Sequence, residues 1–546
     1  MTGTARTNAN NLILLALITG GIVLLKFFFF RQLTELDNSL HIPQLTSVYL
    51  TNIAAAMAVA LFVLLIRKIW VIILLLVICD VWLLANLMYF NANFTLLNWA
   101  AITTITELPG FEASIGCYVD WLHLLFPLTT IAAYFMMAGL ADSSTDKHRC
   151  SSKIIIWYVA IISVCLVAGA AIRHRVPFTD SSHWSIHDEE KTFLRSHSPL
   201  AHFGKTIGEI IQFQFVHFNA DLPLTEAERR IVPTSVLPDT ASAQIGHLVY
   251  ILIESMESWA MTAQDATGTE VCPYLNHFIK THPVILSSRI ETQQMYGRSG
   301  DGQLITQTGL LPLLQGVACM EYGANIYPNL AHFYPDSKVL NPFPRVWNQR
   351  VTTYSYGFKD LREPDAKTHQ KGTDSLMFVW AQEELEHATS PMYLMVLTID
   401  THAPFRCASP SLIFDATYSE TEQAYLQCVH HTDQYLGRFL AWTDTASVMQ
   451  NATIVITADH NHFPQENEKG LCPLIIHSPD VHSTITIPQA YQMDIFPTIL
   501  HLIGQDSYPW HGLGRNLLDS NSIRPCSINE AYRLSDKLIR RNYFAQ

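Results

Sequence analysis

Five apolar segments in the amino-terminal third of the chain constrain its fold more than any other feature. They cover about residues 11–30, 47–66, 69–90, 121–140 and 154–172, and each approaches the roughly 20 residues that a helix needs to cross a bilayer. The first segment runs on through Phe27–Phe30 without a small-residue cleavage site, so we expect a retained helix and not a cleaved signal peptide. The sequence therefore predicts a five-span membrane domain over residues 1–173.

The distribution of basic residues predicts how these spans are oriented. Short cytoplasmic loops carry an excess of Lys and Arg. Basic residues follow the second and fourth segments, at Arg67, Lys68, Lys147, Arg149 and Lys153. The loop at 91–120 has no Lys or Arg, and the loop after the first segment has only Arg31. The pattern predicts a cytoplasmic amino terminus and an extracytoplasmic position for residues 174–546.

One carboxylate, Asp80, lies inside the third apolar segment. Ionisable residues within a span are costly and often functional, but an Asp can also serve helix packing or lie near the interface. The sequence leaves both interpretations open. Because a transport function would rest on Asp80 alone, the spans are better interpreted as an anchor.

The rest of the chain divides into a linker and an outer domain. Residues 174–245 mix His, aromatic and charged side chains without a further span, which predicts short interfacial helices or a polar connector. Residues 246–546 are long enough for one globular domain. Residues 174–546 carry 25 Lys and Arg against 39 Asp and Glu, and this acidic balance argues against nucleic acid as a partner.

Six cysteines fall in the part that is predicted to lie outside. They are Cys272, Cys319, Cys407, Cys428, Cys472 and Cys526. An oxidising compartment would permit up to three disulfides among them, and the sequence does not choose a pairing. Their spacing contains no Cys-x-x-Cys pair, so a structural zinc site built on thiolates is disfavoured.

The outer domain alternates short aliphatic runs with helical stretches, which is typical of an α/β domain with a largely parallel sheet. Strands are predicted at 247–253, 392–398, 453–457 and 473–476, and helices at about 302–315, 374–388, 418–442 and 490–503. In such sheets ligands bind beyond the carboxyl ends of the strands. Residues that directly follow a strand are therefore candidates for the site.

Polar side chains directly follow three of these strands. Glu254 follows the first, Asp400-Thr-His402 follows the second, and Asp459-His460-Asn-His462 follows the third. Each one alone is more often a cap or an ordinary hydrogen-bond partner. Together, two carboxylates and a histidine form an oxygen-and-imidazole set that suits zinc, manganese or magnesium.

Ser299 is the candidate nucleophile beside such a metal. It stands in Gly297-Arg298-Ser299-Gly300-Asp301-Gly302, at the start of an amphipathic run. The glycines permit a sharp turn, and a helix amino terminus attracts anions through its free backbone N–H groups. An ordinary helix-capping serine is the alternative at this position.

These motifs, in this order, resemble the sulfatase-like branch of the alkaline phosphatase superfamily. The motifs are Glu254-Ser, Gly-Arg-Ser299, Thr-His402-Ala-Pro-Phe, Tyr425-Leu-Gln-Cys-Val-His-His-Thr-Asp433, Asp459-His460 and Met493-Asp-Ile-Phe-Pro-Thr-Ile-Leu-His-Leu-Ile-Gly504. With five spans before the outer domain, the chain is similar to lipoteichoic acid synthases, which transfer phosphoglycerol, and to lipid A phosphoethanolamine transferases. The resemblance implies a sulfatase-like, mainly parallel sheet flanked by helices.

The resemblance also implies roles for individual residues. The family's metal ligands correspond to Glu254, Asp459 and His460, with the nucleophile Ser299 completing the set. The family nucleophile is usually Thr, and Ser keeps the same hydroxyl. The residues implied in substrate binding are Arg298, His402, His462, Trp347 and Arg362, with Arg350 as a further candidate. Sulfatases proper need a Cys or Ser followed by x-Pro-x-Arg, which Ser299-Gly-Asp-Gly lacks, so sulfate-ester hydrolysis is disfavoured.

The function implied by the resemblance is a two-step transfer. Ser299 would attack a membrane phospholipid, release diacylglycerol and hold the phospho-headgroup until a hydroxyl of an envelope glycan or lipid takes it. Phosphoglycerol is the favoured headgroup, with phosphoethanolamine close behind, and the cofactor would be Mn²⁺ or Zn²⁺, or else Mg²⁺. Two alternatives remain: a hydrolase that gives the group to water, and a non-catalytic sensor of lipid headgroups.

Overall fold

A computed structural model describes most of the chain. The described residues are 3–38, 40–66, 68–93, 96–103, 105, 118–141, 152–176, 189–216, 223–233, 246–344, 346–365, 372–407, 409–464 and 469–545. They form two compact units, of which the first ends at Val216 and the second contains the carboxyl-terminal domain. The domain limits at residues 173 and 245 stay predictions, and the first unit includes two helices beyond residue 173.

The first unit is built from helices. They are α1 (Gly3–Leu33), α2 (Ile42–Ile66), α3 (Ile69–Asn93), α4 (Trp99–Thr103), α5 (Leu125–Ala141), α6 (Ser152–Arg175), α7 (Glu189–Ser196) and α8 (Pro199–Val216). Five stretches are long and apolar enough to cross a membrane: Asn10–Leu33, Ile42–Ile66, Ile69–Ala92, Trp121–Ala138 and Ser152–Arg175. The predicted five spans are therefore confirmed. Arg67, Lys147 and Arg149 lie outside the described residues, so the orientation drawn from them stays a prediction.

Asp80 in α3 is not a lone carboxylate. Its Oδ1 accepts a hydrogen bond from Lys26 Nζ of α1, and its Oδ2 accepts one from Thr130 Oγ1 of α5 at 2.5 Å. Lys26 Nζ also donates to Thr130 Oγ1 at 2.9 Å and to the carbonyl oxygen of Phe126 at 2.7 Å. The interpretation of Asp80 as a lone charge within the spans is wrong, because Lys26 in the first apolar segment supplies its counter-ion. The cluster joins three helices, which favours the packing interpretation over transport.

The second unit is an α/β domain. Its helices are α9 (Glu226–Ile231), α10 (Ser258–Thr262), α11 (Pro273–Thr281), α12 (Ser299–Thr308), α13 (Ala318–Glu321), α14 (Gln349–Ser355), α15 (Asp374–His387), α16 (Glu420–Thr443), α17 (Ile495–Leu502) and α18 (Ile528–Arg540). Its strands are β1 (Leu248–Ile253), β2 (Ile285–Glu291), β3 (Asp336–Leu340), β4 (Asp360–Arg362), β5 (Met392–Leu397), β6 (Thr453–Ala458), β7 (Cys472–His477), β8 (Ile485–Thr486) and β9 (Ala490–Tyr491).

One sheet runs through this domain in the order β4-β3-β5-β1-β6-β7-β2-β8, and β9 pairs with β2. The pairs from β4 to β6 are all parallel, whereas β7 is antiparallel to both β6 and β2. Every residue of β1, β5 and β6 is buried, as expected for central strands of a sheet covered on both faces. The predicted mainly parallel α/β fold is confirmed.

Candidate metal and catalytic site

The ends of three neighbouring parallel strands define the site. β1 lies between β5 and β6, and Ile253 is level with Ala458 in the register. Glu254 directly follows Ile253 and Asp459 directly follows Ala458, so the two carboxylates lie next to each other where the two strands end. The segment that carries His402 follows β5 at the same edge. The sheet thus gathers three groups of polar residues that are spread from Glu254 to His462 in the sequence.

Glu254, Asp459 and His460 form one buried group. A ligand atom of each lies within 4.8 Å of the ligand atoms of the other two. His460 Nε2 is 3.3 Å from Glu254 Oε1 and 3.7 Å from Asp459 Oδ2. No more than 6% of the surface of any of the three is exposed. The structure therefore brings together all three side chains that the sequence predicted as ligands.

Hydrogen bonds hold these side chains in place. Asp459 Oδ1 accepts from the backbone N–H groups of Ser255 at 2.9 Å and His460 at 2.7 Å. The Ser255 hydroxyl donates to Glu254 Oε1 at 2.7 Å. His460 Nδ1 lies 2.9 Å from the carbonyl oxygen of Asn461. A proton on Nδ1 would serve that contact and leave Nε2 free for a metal, which is the usual arrangement of a ligating histidine.

The charges of the group favour a bound cation. Burial and the charge of Glu254 raise the pKa of Asp459 to about 7. Burial would lower the pKa of His460, but the charges of Asp459 and Glu254 raise it to about 9. Burial would raise the pKa of Glu254, but His460 and His402 hold it well below its usual range. A divalent cation that displaced the proton of His460 would lie among two buried carboxylates and a neutral imidazole, whose negative charge it would balance.

The donor set fits a small divalent cation. Glu254 and Asp459 supply carboxylate oxygens, and His460 supplies an imidazole nitrogen. Such mixed oxygen and nitrogen ligands suit zinc or manganese, whereas Ca²⁺ takes six to eight oxygens. The side chains are already oriented by their neighbours, so binding would require little rearrangement. These residues can therefore hold the metal that the sequence predicted.

Ser299 lies against this group at the first residue of α12. Its Oγ donates to Glu254 Oε2 at 3.2 Å and lies 3.3 Å from His460 Nε2. The capping position belongs to the preceding residue, Arg298, whose side chain makes no capping hydrogen bond. The capping alternative for Ser299 is therefore not what the structure shows. Its hydroxyl contacts two candidate metal ligands instead.

The loop before α12 is held by Asp301. Its Oδ2 accepts from the backbone N–H groups of Met295 and Gly297, both at 2.8 Å, and burial raises the pKa of Asp301 to about 6. Arg298 has φ 43°, in the left-handed region. Such strained positions persist where the surrounding contacts over-determine them and are common at functional sites. The turn places Ser299 at the amino terminus of α12, where the helix dipole favours a negatively charged phosphoryl group.

Gly302 lets α12 approach the end of β6. A Cβ at this position would lie 2.1 Å from the carbonyl oxygen of Asp459, far inside the distance at which atoms touch. We therefore expect Gly302→Ala to move α12 and take Ser299 away from its partners, lowering turnover by about 10²-fold.

The matched control for this prediction is Gly204→Ala in α8, where a Cβ would meet no atom within 4 Å. Turnover and far-ultraviolet circular dichroism of both variants provide the measurement. Wild-type turnover in Gly302→Ala would show that the close approach does not matter.

His402, His462 and Arg298 surround the ligand group. The charge of His402 is close enough to lower the pKa of Glu254. Burial, reinforced by Arg298, His460 and His402, lowers the pKa of His462 to about 3, so His462 is neutral at physiological pH. Arg298 Nη1 donates to the carbonyl oxygen of Asn461 at 3.4 Å. The structure thus places these three predicted substrate-binding residues beside the ligands.

Trp347 also lies at the site. A Cβ on Gly300 would be 3.6 Å from two ring carbons of Trp347, so the indole lies over the first turn of α12, next to Ser299. Trp347 has φ 52° and Asn348 has φ 51°, and Asn348 Nδ2 donates to the carbonyl oxygen of Cys319 at 3.0 Å. Two consecutive residues in the left-handed region hold the indole in this position.

The structure does not bring the other two candidates, Arg362 and Arg350, to Ser299. Arg362 lies in β4, three strands from β1. It donates to Glu384 at 2.8 Å and Glu383 at 2.7 Å, and its guanidinium stacks on Trp380. Arg350 Nε donates to Glu363 at 2.6 Å. Both side chains are engaged in local ion pairs, so neither is included in the proposed site.

Comparison with known proteins agrees with this geometry. Residues 247–505 match the family model described as Sulfatase. We refer to residues 247–505, the part of the carboxyl-terminal unit that matches this model, as the sulfatase-family domain. The match begins at β1 and ends just after α17, so the sulfatase-family domain contains every residue of the candidate site. The predicted resemblance to the sulfatase-like branch is thereby confirmed.

Two proteins with sequences similar to this chain are lipoteichoic acid synthases. Lipoteichoic acid synthase 1 of Bacillus subtilis is 22% identical over 316 residues, which cover 51% of this chain and 49% of the relative. Lipoteichoic acid synthase of Staphylococcus saprophyticus is 19% identical over 504 residues, which cover 81% of this chain and 74% of the relative. The chain thus spans about half the length of the Bacillus subtilis relatives that it matches.

A solved structure shares the fold over most of the chain. It is the integral membrane protein lipooligosaccharide phosphoethanolamine transferase A from Neisseria meningitidis. The TM-score is 0.52 at 12% identity, and the match covers 90% of this chain and 95% of that chain. At this identity the similarity establishes the shared fold.

Glu257 is a positioning residue of the sulfatase-family domain that the sequence did not reveal. Its Oε1 accepts from the backbone N–H groups of His462 at 2.8 Å and Phe463 at 2.6 Å, and its Oε2 accepts from Gly470 at 2.9 Å. A buried carboxylate with several backbone donors fixes the loop that follows His460. The only sequence signal was a second Glu three residues after Glu254.

Proposed function

We propose that the protein is a membrane-bound, metal-dependent transferase that moves a phospho-headgroup from a phospholipid to an acceptor through a covalent intermediate on Ser299. The observation that carries this proposal is the contact of the Ser299 hydroxyl with Glu254 and His460 inside a buried group of ligands. A nucleophile adjacent to a metal site is the arrangement that covalent phosphoryl transfer requires.

The metal part of the proposal follows from the donor set. A divalent cation held by Glu254, Asp459 and His460 would lower the pKa of the Ser299 hydroxyl and offset charge on the phosphoryl oxygens. Mn²⁺ or Zn²⁺ is favoured over Mg²⁺, because an imidazole is among the ligands and Mg²⁺ prefers oxygen.

The side chains of the site support each step of the transfer. The Ser299 hydroxyl gives its proton to water, and its Oγ forms a bond to phosphorus while the bond from phosphorus to the diacylglycerol oxygen breaks. The positive end of the α12 dipole and the Arg298 side chain attract the phosphoryl oxygens. His402 holds the phosphate or gives a proton to the leaving alkoxide. The acceptor hydroxyl then displaces Ser299 from phosphorus, which restores the free serine.

The donor and acceptor are proposed from the membrane spans and the relatives. Tethering to the bilayer keeps a site at high effective concentration near a lipid substrate. The resemblance to lipoteichoic acid synthases favours phosphoglycerol as the headgroup, and the fold shared with a phosphoethanolamine transferase makes phosphoethanolamine the alternative. The acceptor would be a glycan or lipid of the cell envelope.

The location that we propose is the cell membrane, with a cytoplasmic amino terminus and an extracytoplasmic sulfatase-family domain. Lys68 and Lys153 flank the loops after the second and fourth spans, and five spans carry the chain to the opposite side. Protease digestion of intact cells tests this placement. Cleavage of the domain from outside supports it, and protection that is lost only on lysis contradicts it.

Product analysis tests the proposed function against hydrolysis. The purified full-length protein is incubated with Mn²⁺ and with headgroup-labelled phosphatidylglycerol or phosphatidylethanolamine, with and without membrane glycolipid acceptor. We expect label on the acceptor and faster diacylglycerol release when acceptor is present. Label that appears only as the free phospho-headgroup, at a rate independent of acceptor, would identify a hydrolase.

Replacing His402 tests its proposed role. We expect His402→Ala to lower the turnover of diacylglycerol release by about 10²-fold, the usual scale for loss of a proton-transfer group, while metal content stays at the wild-type level. His501→Ala is the control, because His501 is exposed and pairs with Asp506 on the surface. Equal turnover in both variants would remove His402 from the mechanism.

A further inference from the structure

We propose that Cys407 and Cys428 form a disulfide bond that ties the segment carrying His402 to α16. Cys407 lies near the end of the segment that follows β5, and Cys428 lies in the first half of α16. Both thiols are free in the structure. Burial raises the pKa of the Cys428 thiol, and the neighbouring Cys407 thiol raises it further. The proposal rests on the extracytoplasmic placement given above, because disulfides persist in oxidising compartments.

The chain before Cys407 is already fixed to α16. The ring of Phe405 packs edge-on against Tyr425, with 5.3 Å between the ring centroids. Tyr425 is buried, and its hydroxyl donates to the carbonyl oxygen of Ser255 at 3.0 Å. This contact anchors the segment three residues before Cys428 in the helix, on the side that faces the metal ligands.

The chain after Cys407 is fixed to the same turn of α16. The backbone N–H groups of Ser411 and Leu412 donate to Gln427 Oε1 at 3.0 and 3.1 Å, and Gln427 Nε2 donates back to the carbonyl oxygen of Leu412 at 2.5 Å. Cys407 is therefore enclosed between two contacts that reach residues 425 and 427. Contacts on both sides therefore hold Cys407 close to the turn of α16 that carries Cys428, and such closeness is what a disulfide requires of its partners.

The other outer cysteines occupy different surroundings. Cys272 is buried, and its thiol donates to the carbonyl oxygen of Ala260 at 3.7 Å. Cys319 lies against Gly300 in α12. Cys472 is buried in β7, and Cys526 is half-buried just before α18. Within the described part of the chain, the contacts of residues 405 and 411–412 with α16 bring Cys407 towards Cys428, which favours this pairing among those left open by the sequence.

The oxidation requires an oxidant, which we assign to the thiol–disulfide oxidoreductases of an extracytoplasmic compartment. Cys407 is half-buried and Cys428 is buried, so Cys407 reacts first. Its thiolate attacks the oxidant's disulfide and releases one oxidant thiol. Cys428 then attacks the Cys407 sulfur of the mixed disulfide and releases the second. Two electrons and two protons pass to the oxidant, which leaves as a dithiol.

The bond would restrain the segment of the site that has the least regular structure. Residues 398–407 have no helix or strand in the structure, and Phe405 has φ 55°. His402 lies between the end of β5 and Cys407. A covalent link to α16 would limit how far His402 can move from the ligand group. The same link closes the loop of chain between Cys407 and Cys428, which constrains the unfolded state.

Peptide mapping tests the proposal. The full-length protein is isolated from membranes after acid quenching, its free thiols are blocked with iodoacetamide, and it is digested without reductant. We expect one linked pair of peptides containing Cys407 and Cys428, with Cys272, Cys319, Cys472 and Cys526 alkylated. Alkylation of both Cys407 and Cys428 overturns the proposal. Treatment with oxidised glutathione then identifies the reason. If the bond forms, the proposed extracytoplasmic placement was wrong; if no bond forms, the proposed proximity of Cys407 and Cys428 was wrong.

Serine variants separate a disulfide from packing of two thiols. We expect Cys407→Ser, Cys428→Ser and the double variant to lower Tm by the same amount, about 5–10 °C, because each removes the one bond. Reductant should lower wild-type Tm to that level and leave the variants unchanged. Cys526→Ser is the control and should keep wild-type Tm. Additive losses, or no response of the wild type to reductant, would contradict the bond.

Discussion

Ser299→Ala should abolish headgroup transfer. The hydroxyl that forms the covalent intermediate is then absent. The Ser255 hydroxyl also contacts Glu254 and His460, but it lies at His460 Nδ1, whereas Ser299 Oγ lies at Nε2, the nitrogen that would face the metal. Loss of a covalent nucleophile lowers turnover by at least about 10³-fold. Residues that act as one catalytic unit depend on each other, so removing one of them costs nearly as much as removing all. Diacylglycerol release from a phospholipid donor provides the measurement. Metal content should remain close to that of the wild type, because three ligands are untouched.

Ser299→Thr is the matched control for this prediction. Threonine keeps the hydroxyl and adds one methyl group, so we expect measurable turnover and an intermediate on the threonine. Together the two variants separate the effect on turnover of losing the hydroxyl from the effect of changing the shape of the site. Wild-type turnover in Ser299→Ala would exclude Ser299 as the nucleophile, whatever happens in the threonine variant.

Asp459→Asn should remove both metal and activity. Asparagine keeps the shape and can still accept the backbone N–H groups of Ser255 and His460, but it takes one negative charge from a buried site. Carboxylate charge is a main source of affinity for a hard divalent cation. We expect metal content after dialysis to fall by at least about tenfold, and transfer to fall with it.

Asp506→Asn is the control for the loss of a carboxylate, since Asp506 is exposed and pairs with His501. Metal content is measured by elemental analysis of the purified full-length proteins. Excess Mn²⁺ should restore part of the activity of Asp459→Asn. Full metal content in Asp459→Asn would remove Asp459 from the ligand set.

The central strands and the ligand group were predictable from sequence because burial and chemistry leave local signals there. β1, β5 and β6 are buried at every position, so their residues form continuous apolar runs. Glu254 and Asp459 directly follow two of those runs and stand out against them. In a parallel sheet the carboxyl ends of neighbouring strands meet at one edge. Polar residues that directly follow such strands can therefore be predicted to lie together in one site.

Other features could not be predicted, because they depend on partners distant in the chain. β3 and β4 are short and partly exposed, so they lack an apolar run. The antiparallel direction of β7 is set by its pairing with β2 and β6, and direction leaves no pattern in a single strand. Lys26 and Asp80 lie in different helices and are 54 positions apart in the sequence. Nothing in their sequence spacing predicts that they form a pair.

The substrate-binding candidates show the same limit. Trp347 and Arg362 looked alike as large residues in an irregular region. The structure separates them, because two left-handed residues turn Trp347 towards Gly300, while acidic residues of α15 engage Arg362. Neither backbone conformation nor a distant ion pair is visible in a single sequence.

The mass of the peptide that contains Ser299 tests the central proposal most directly. The purified full-length protein is incubated with Mn²⁺ and phosphatidylglycerol or phosphatidylethanolamine, without acceptor, then quenched in acid and digested. We predict an added glycerol phosphate or ethanolamine phosphate on Ser299, which would also identify the donor. An unmodified Ser299 peptide with both lipids, in protein that retains its metal and releases diacylglycerol, would contradict a covalent transferase.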